Sequence, residues 1–142
     1  VGVFVVWVGM EGWYPQIGAA GVPAGSDVAY GSVPFLAVRV AGAALVVPVM
    51  EEVFWRSFAL RFLVDTDFRK VPLGKFTWFS FVAVAIAFGF EHHRWLPGII
   101  AGAAYAGVLY RNGNLFSPIL AHAITNLLLG FYVIMMQRWH FW

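Results

Sequence analysis

The sequence predicts an all-α fold: a polytopic transmembrane helical bundle of about four spans plus a partial N-terminal one. The first observation is composition, because 61% of the 142 residues are hydrophobic and only 11% are charged, against about 25% charged residues in soluble domains. The second is that apolar segments approaching the length of a bilayer span recur between short polar stretches. We therefore predict a single membrane-embedded domain, residues 1–142, whose solvent and principal partner is the lipid bilayer.

Composition also excludes several classes of function. The nine basic residues are scattered, and without a basic patch we predict no nucleic-acid partner. Cysteine is absent, which excludes disulfides, thiolate metal sites and a cysteine nucleophile. The serine-hydrolase pattern G-x-S-x-G and the zinc pattern H-E-x-x-H are also missing from the sequence.

The N-terminal half begins with an apolar run, residues 1–10, that is too short to span a bilayer. It opens at Val1 without a basic region, so we expect an incomplete helix in an N-terminally truncated domain. Residues 11–32 contain seven Gly and Pro residues and predict a loop. Residues 33–63 predict the first long membrane helix, with a kink or tilt at Pro48.

The C-terminal half predicts three further membrane helices, over residues 76–91, 98–110 and 115–136. The polar stretch 64–75 is a predicted loop. In the helix 98–110, the pairs Gly98/Gly102 and Ala103/Gly107 are each four residues apart, a spacing that lets helices approach closely. The tail after residue 136 contains two Trp and is predicted to lie at the membrane interface.

The distribution of Lys and Arg predicts the orientation. The 64–75 loop, with its flanks and the turn at 111–114 on the same side, is the more basic. It has Arg61, Arg69, Lys70, Lys75 and Arg111, whereas the opposite side has Arg94 and Arg138. By the positive-inside rule, the 64–75 loop is predicted to be cytoplasmic.

Three polar motifs interrupt or end the apolar helices. A charged side chain at mid-bilayer costs about 2.5–3.5 kcal/mol on insertion scales, so such residues are functional hypotheses. In the first motif, Glu52 and Arg56 are four residues apart and are predicted to form an ion pair on one helix face. Glu51 points about 100° away and is left without a local cation, which suits a general base. The alternative is that both acids lie at a helix end in water.

The second and third motifs supply imidazole and amide groups. FGFEHHR ends the second long helix, and one of its two histidines, His92 or His93, can share a proton with Glu51. The alternative is an interfacial cluster of His and Arg that contacts lipid headgroups. HAITN lies inside the last helix, where His122 and Asn126 project from one face. Both can donate hydrogen bonds to an oxyanion, or they can serve as polar contacts between helices.

The combination predicts a site for water-mediated amide hydrolysis, with Glu51 and His92 activating water and His122 with Asn126 stabilising the oxyanion. Two alternatives remain open. Glu51, His92 and His122 are ligand types that zinc accepts, with a vacant position for water, which would make a metallopeptidase. The chain could instead be a non-catalytic partner or immunity protein of a sorting or bacteriocin system.

The three motifs together resemble those of a known family. EEVFWR resembles the E-E-x-x-x-R motif of the CPBP proteases, which include the CAAX proteases and bacteriocin-processing enzymes. FGFEH resembles their F-x-x-x-H motif and HAITN their H-x-x-x-N motif, in the family's order. The segment from His92 to Trp142 is similar to a bacterial CAAX prenyl protease-related subgroup associated with the exosortase system for sorting surface proteins.

The resemblance implies an all-helical glutamic intramembrane endopeptidase in the bacterial inner membrane. It implies Glu51 and His92 as the water activators, His122 and Asn126 as the oxyanion site, and supporting roles for Glu52 and Arg56. No metal and no cofactor is expected under this interpretation. The partner is a protein or peptide substrate, which in eukaryotic members is a prenylated CAAX protein.

Overall fold

The chain is an all-helical bundle in a computed structural model that describes residues 1–18 and 30–142. The predicted 11–32 loop therefore lies partly outside the described residues. The described residues form helices and turns and contain no strand. The helices are α1 (Gly2–Gly9), α2 (Val33–Phe62), α3 (Trp78–Phe90), α4 (Trp95–Asn112) and α5 (Phe116–Met136), with 3-10 turns at Phe68–Lys70 and Trp139–Phe141.

Helix α2 is continuous for 30 residues but changes its winding twice. Two π-helical segments, Gly42–Val46 and Val53–Ala59, alternate with ordinary α-helical turns. Pro48 follows the first π segment, and a proline removes one backbone donor from the helix. The N–H of Val47 donates to the carbonyl of Gly42, five residues back, so the helix is underwound shortly before the first polar motif. The second π segment contains Arg56 of that motif.

Helices α3 and α4 form a tight antiparallel hairpin built on glycine. A Cβ atom added at Gly89 would come within 2.6 Å of the Trp95 carbonyl oxygen, and one added at Gly98 within 2.9 Å of the Gly89 Cα. Gly102 leaves similarly little space beside α3. A Cβ at Gly107, by contrast, meets nothing within 4 Å. The predicted Gly98/Gly102 spacing thus marks a real helix contact, whereas Gly107 faces away from it.

Specific residues fix the ends of these helices. The Thr77 side chain accepts a hydrogen bond from the Ser80 N–H and caps the start of α3, as an N-cap threonine does. Gly113 ends α4 with a left-handed backbone, φ 64°, which glycine adopts without steric cost. Helix α4 begins at Trp95, three residues before the predicted start.

The apolar surface agrees with a membrane setting. Among the described residues, α2 and α5 are long and apolar enough to cross a bilayer, whereas α3 is apolar but shorter. At 13 residues and 1.5 Å per residue, α3 spans about 20 Å, less than the roughly 30 Å hydrocarbon core. Several large apolar side chains are more than half exposed, including Leu45, Met50, Phe79 and Phe131. The class of fold is therefore the predicted all-α membrane class, while the number of spans remains a prediction.

Candidate active site

A cavity of about 180 Å³ lies in the bundle and brings the three motifs together. It is lined from α2, α4 and α5, from the end of α3, and from both terminal segments. Glu51, His92, His122 and Asn126 all line it. Its other walls are formed by Trp7, Ala43, Val47, Phe88, Ala101, Tyr105, Thr125, Leu129, Phe141 and Trp142. The four residues selected from sequence thus share one pocket, although their catalytic role stays a prediction.

Glu51 is the acid without a partner. It lies on the last α-helical turn before the second π segment. Its Oε2 is buried and accepts no hydrogen bond from the described part of the chain. A buried acceptor of this kind costs free energy unless water or a ligand satisfies it. The cavity beside it has both polar walls and room for water.

Glu52, the next residue, is in the opposite situation. Its Oε2 lies 2.9 Å from Nε of Arg56, the predicted i, i+4 ion pair, although the two groups lack hydrogen-bond alignment. Its Oε1 accepts a hydrogen bond of 3.0 Å from Nδ1 of His122. Both Glu52 and Arg56 are 0% exposed. Arg56 also donates to the carbonyl oxygen of Gly102, at 3.1 Å, so this buried network ties α2 to both α4 and α5.

His92 and His93 separate into two environments. Nδ1 of His92 lies 2.8 Å from the carbonyl oxygen of Phe88. A carbonyl only accepts, so Nδ1 carries the proton and Nε2 of the neutral ring remains an acceptor. His93 instead contacts the carbonyl oxygen of Ile17, at 2.7 Å, and does not line the cavity. Of the two histidines, only His92 lies at the cavity. It is also the histidine that has the F-x-x-x-H spacing from Phe88.

Asn126 reaches across to the first π segment of α2. Its Nδ2 donates to the carbonyl oxygen of Ala43 at 2.9 Å. In an ordinary α-helix that carbonyl would accept from Val47; here Val47 donates to Gly42 instead. The π segment thus frees an acceptor for Asn126. One N–H of the Asn126 amide is used by this contact, and the second is the one available to an oxyanion.

Tyr105 is a cavity residue that the sequence did not single out. Its side chain is 2% exposed and its ring stacks on the His122 imidazole, with centroids 4.7 Å apart and an interplanar angle of 18°. Phe88 adds an edge contact to His122 at 6.2 Å. These rings fix the plane of the imidazole, and no spacing rule in α4 distinguishes Tyr105 from a packing residue.

Arg94 lies in a buried clamp and not among lipid headgroups. It is 5% exposed, and its guanidinium donates from Nε and Nη2 to the two carboxylate oxygens of Glu11, at 2.9 and 3.0 Å. Nη1 donates to the carbonyl oxygen of His140 at 3.1 Å. This clamp joins the end of α1, the α3–α4 turn and the C-terminal tail.

The clamp sets the ionisation of Glu11. Burial by itself raises the pKa of this carboxyl. The hydrogen bond and charge of Arg94, together with a hydrogen bond from Gln16 and the charge of His140, outweigh burial and hold the Glu11 pKa below its ordinary value. Glu11 is therefore an anion at neutral pH.

The cavity has imidazoles and carboxylates but no cluster arranged around a cation. Among residues 1–18 and 30–142, no group of three His, Cys, Asp or Glu side chains is arranged to hold a metal ion. Nδ1 of His122 is already used by Glu52. Zinc use stays an alternative prediction, which elemental analysis of the purified protein and a chelator assay would test.

Comparison with known proteins identifies the family. Residues 33–128 match the family described as type II CAAX prenyl endopeptidase, Rce1-like, and this stretch contains all six residues predicted for the site. No curated protein and no solved structure matches the chain. The match does not reach the exosortase-associated subgroup, which stays a prediction. Because the matched stretch covers more than half of a chain rich in apolar helices, this integral membrane protein belongs to the Rce1-like family of type II CAAX prenyl endopeptidases.

Proposed function

We propose that this protein is an intramembrane endopeptidase that hydrolyses peptide bonds of membrane-associated or lipidated protein substrates. The observation that carries the proposal is the single cavity lined by Glu51, His92, His122 and Asn126. These residues come from two long helices and a turn and are up to 75 positions apart in the sequence. Family membership supports the reaction class; the geometry supports the division of roles.

Water is activated on the Glu51 side of the cavity. The free Oε2 of Glu51 accepts a proton from water as the water oxygen attacks the scissile carbonyl carbon. His92 holds the same water through its accepting Nε2, since its Nδ1 proton is held by the Phe88 carbonyl. A positioned general base of this kind contributes about 10²–10⁴-fold to rate.

The oxyanion forms opposite the base. The second N–H of Asn126 donates to it. His122 donates from Nε2 only as an imidazolium, because Glu52 already accepts the Nδ1 proton. Arg56 and Tyr105 hold the Glu52 carboxylate and the His122 ring in place. When the C–N bond breaks, the proton on Glu51 passes to the leaving amine, and the water oxygen remains on the new carboxylate.

The test is cleavage of lipidated and unmodified membrane peptides by the full chain reconstituted in lipid. Glu51→Gln removes the base but keeps the shape, and kcat should fall about 10²–10⁴-fold. Asp67→Asn is the matched control, because Asp67 does not line this cavity and forms an exposed pair with Lys70 at 2.9 Å. Full cleavage by Glu51→Gln would remove the basis for the proposed function.

The histidine doublet offers a second matched pair. His92→Gln should lower kcat strongly, whereas His93→Gln should leave it near the wild-type rate, because only His92 lines the cavity. If the two variants lose activity equally, His92 has no special role and the assignment of the water activators is wrong.

A further inference from the structure

The cavity is too small for the substrate that the proposed function requires. Its volume is about 180 Å³, whereas pockets that bind even small ligands are typically about 300–1,000 Å³. A peptide bond with its flanking residues does not fit this space. One wall must therefore move before a substrate segment can contact all four polar residues at once, although Glu51 also lines a more open cavity of about 350 Å³ beside Glu91.

The helical walls are held on several sides. Glu52 joins α2 to α5 through His122, and Arg56 joins α2 to α4 through Gly102. The end of α3 is fixed to α4 by the glycine contact at Gly89. Moving any of these helices would break buried polar contacts or a close backbone seam, which costs more than moving a short surface segment.

The remaining walls are Trp7 of α1 and the segment that follows α5. Phe141 and Trp142 line the cavity, and they belong to a single 3-10 turn, Trp139–Phe141, and the residue after it. Two arginines hold this turn in place. The Arg94 guanidinium lies 4.1 Å from the centre of the Phe141 ring, and the Arg39 guanidinium lies 5.0 Å from that of Trp142.

The tail is held by aromatic contacts, Trp139 on Tyr30 and Phe141 against Tyr132, and by a polar attachment at Arg94. Arg94 donates to the His140 carbonyl and is itself fixed by the Glu11 carboxylate at the end of α1. His140 adds a weaker contact, 3.6 Å from Nε2 to Glu11 Oε1. The Glu11 side chain is 31% exposed, so water can compete for it. This attachment can open without unfolding the bundle.

We propose that residues 139–142 are a movable wall of the substrate cavity, fastened by the Glu11–Arg94 pair, and that Phe141 and Trp142 determine which substrate residues the cavity admits. The proposal deepens the proposed function, since it takes the cavity to be the substrate site. Release of the tail widens the cavity along one side and leaves the Glu52–His122 network intact. The two aromatic side chains then form the margin past which a substrate segment enters.

The absence of native cysteine allows a direct test of access that does not depend on catalysis. Ala43→Cys places the only thiol on the cavity wall, and its labelling by N-ethylmaleimide is timed in the full chain reconstituted in lipid. Glu11→Gln is added to unfasten the tail. The matched control is Asp67→Asn, which removes the exposed pair between Asp67 and Lys70. Thr66→Cys in the 64–75 loop is the reference thiol.

Glu11→Gln should speed labelling at position 43 by about tenfold, the effect of losing one charge-assisted hydrogen bond, and should not change labelling at position 66. Phe141→Leu, which keeps the ion pair but weakens the ring contact with Arg94, should give a smaller increase. An unchanged rate in both variants would overturn the movable wall.

The two proposals fail separately. If Glu11→Gln does not change the labelling rate at position 43 but Glu51→Gln is inactive, the proposal of a movable wall is wrong and the protease assignment stands. If Glu11→Gln speeds labelling at position 43 but Glu51→Gln cleaves normally, the movable wall is supported and the catalytic assignment is wrong. Trp142→Ala gives a further readout: it should raise kcat/KM for substrates with bulky residues more than for those with small ones.

Discussion

The α3–α4 contact and the α2–α5 contact are built from opposite kinds of residue. Between α3 and α4, Gly89 and Gly98 bring the backbones so close that no side chain separates them. Between α2 and α5, polar side chains bridge the helices, as from Asn126 to the carbonyl of Ala43 in the first π segment, and a cavity opens beside His122 and Asn126. The first contact is apolar and continuous; the second contains buried charge.

The difference shows that the α3–α4 pair is the rigid part of this bundle and that the α2–α5 pair holds the candidate active-site residues. A glycine seam needs only small side chains and van der Waals contact. The α2–α5 contact needs every buried polar group to find a partner, and Glu51 is the carboxylate left without one within the described residues. A firm hairpin beside an opened helix pair is an arrangement in which a reactive group can be held fixed and still be hydrated.

The largest effect is expected from breaking the charge network of the α2–α5 contact. Glu52→Gln leaves Arg56 and His122 buried without their carboxylate, and loss of one partner of a buried pair costs about 3–5 kcal/mol. The loss in the free energy of unfolding is measured by denaturant titration in detergent. Asp67→Asn, at an exposed pair with Lys70, is the control, since exposed pairs contribute at most about 1 kcal/mol. Equal stability of the two variants would contradict the network.

A smaller effect is expected from filling the glycine seam. Gly89→Ala places a methyl group within 2.6 Å of the Trp95 carbonyl, and the hairpin must spread, at a cost of about 1–3 kcal/mol. Gly107→Ala should be neutral or slightly stabilising, because the same methyl group meets nothing within 4 Å and alanine favours the helix. Thermal melts of the two variants distinguish a seam from a general sensitivity of α3 and α4.

The next prediction concerns the link between Asn126 and the π segment. Asn126→Leu removes the donor to the Ala43 carbonyl. Interhelical hydrogen bonds in membrane proteins average about 0.6 kcal/mol, so the loss of stability should be under about 2 kcal/mol. The loss of kcat should be larger, about 10²–10³-fold, because an oxyanion donor is removed. A variant that is stable and fully active would show that Asn126 only joins helices.

The smallest effect is a pH dependence of the clamp. The pKa of Glu11 is lowered in the folded protein, so its contribution to stability is complete above the ordinary glutamate value of about 4.3 and is lost as the pH falls through the folded-state pKa. The difference in Tm between the wild type and Glu11→Gln should be clear near neutral pH and shrink with acidification. A difference that is constant across this range would show that Glu11 does not act through its charge.

Part of this site could be predicted from the sequence because it depends on residues that are close together along one helix. The i, i+4 spacings of Glu52/Arg56 and His122/Asn126 fix which side chains share a helix face, and the cost of charge in lipid makes such residues conspicuous. The helices predicted at 33–63 and 115–136 differ from α2 and α5 by one residue at an end, since long apolar runs are clear signals.

Contacts between helices did not follow from sequence. The pairing of Glu52 with His122 depends on how α2 and α5 are rotated against each other, and the π segments that set this rotation have no sequence signature beyond Pro48. For Arg94 the sequence offers headgroup contact only as an alternative and does not indicate its partner, Glu11, which is 83 residues away. Phe141 looked like an interfacial aromatic residue, and only the folded chain places it on the cavity wall.

The first π segment affects which changes of chain length helix α2 can tolerate. Its wide turn accommodates one residue more than α-helical pairing would, so a deletion within Gly42–Val46 would restore ordinary winding with Glu51 on nearly the same face. A deletion in the α-helical turn between this segment and Glu51 would instead swing Glu51 by about 100° relative to the start of α2. The carboxylate would then leave the cavity although every catalytic side chain was still encoded. In that α-helical turn a change of length should harm activity more than most changes of residue type, whereas the π segment can lose its extra residue and keep Glu51 on the cavity side.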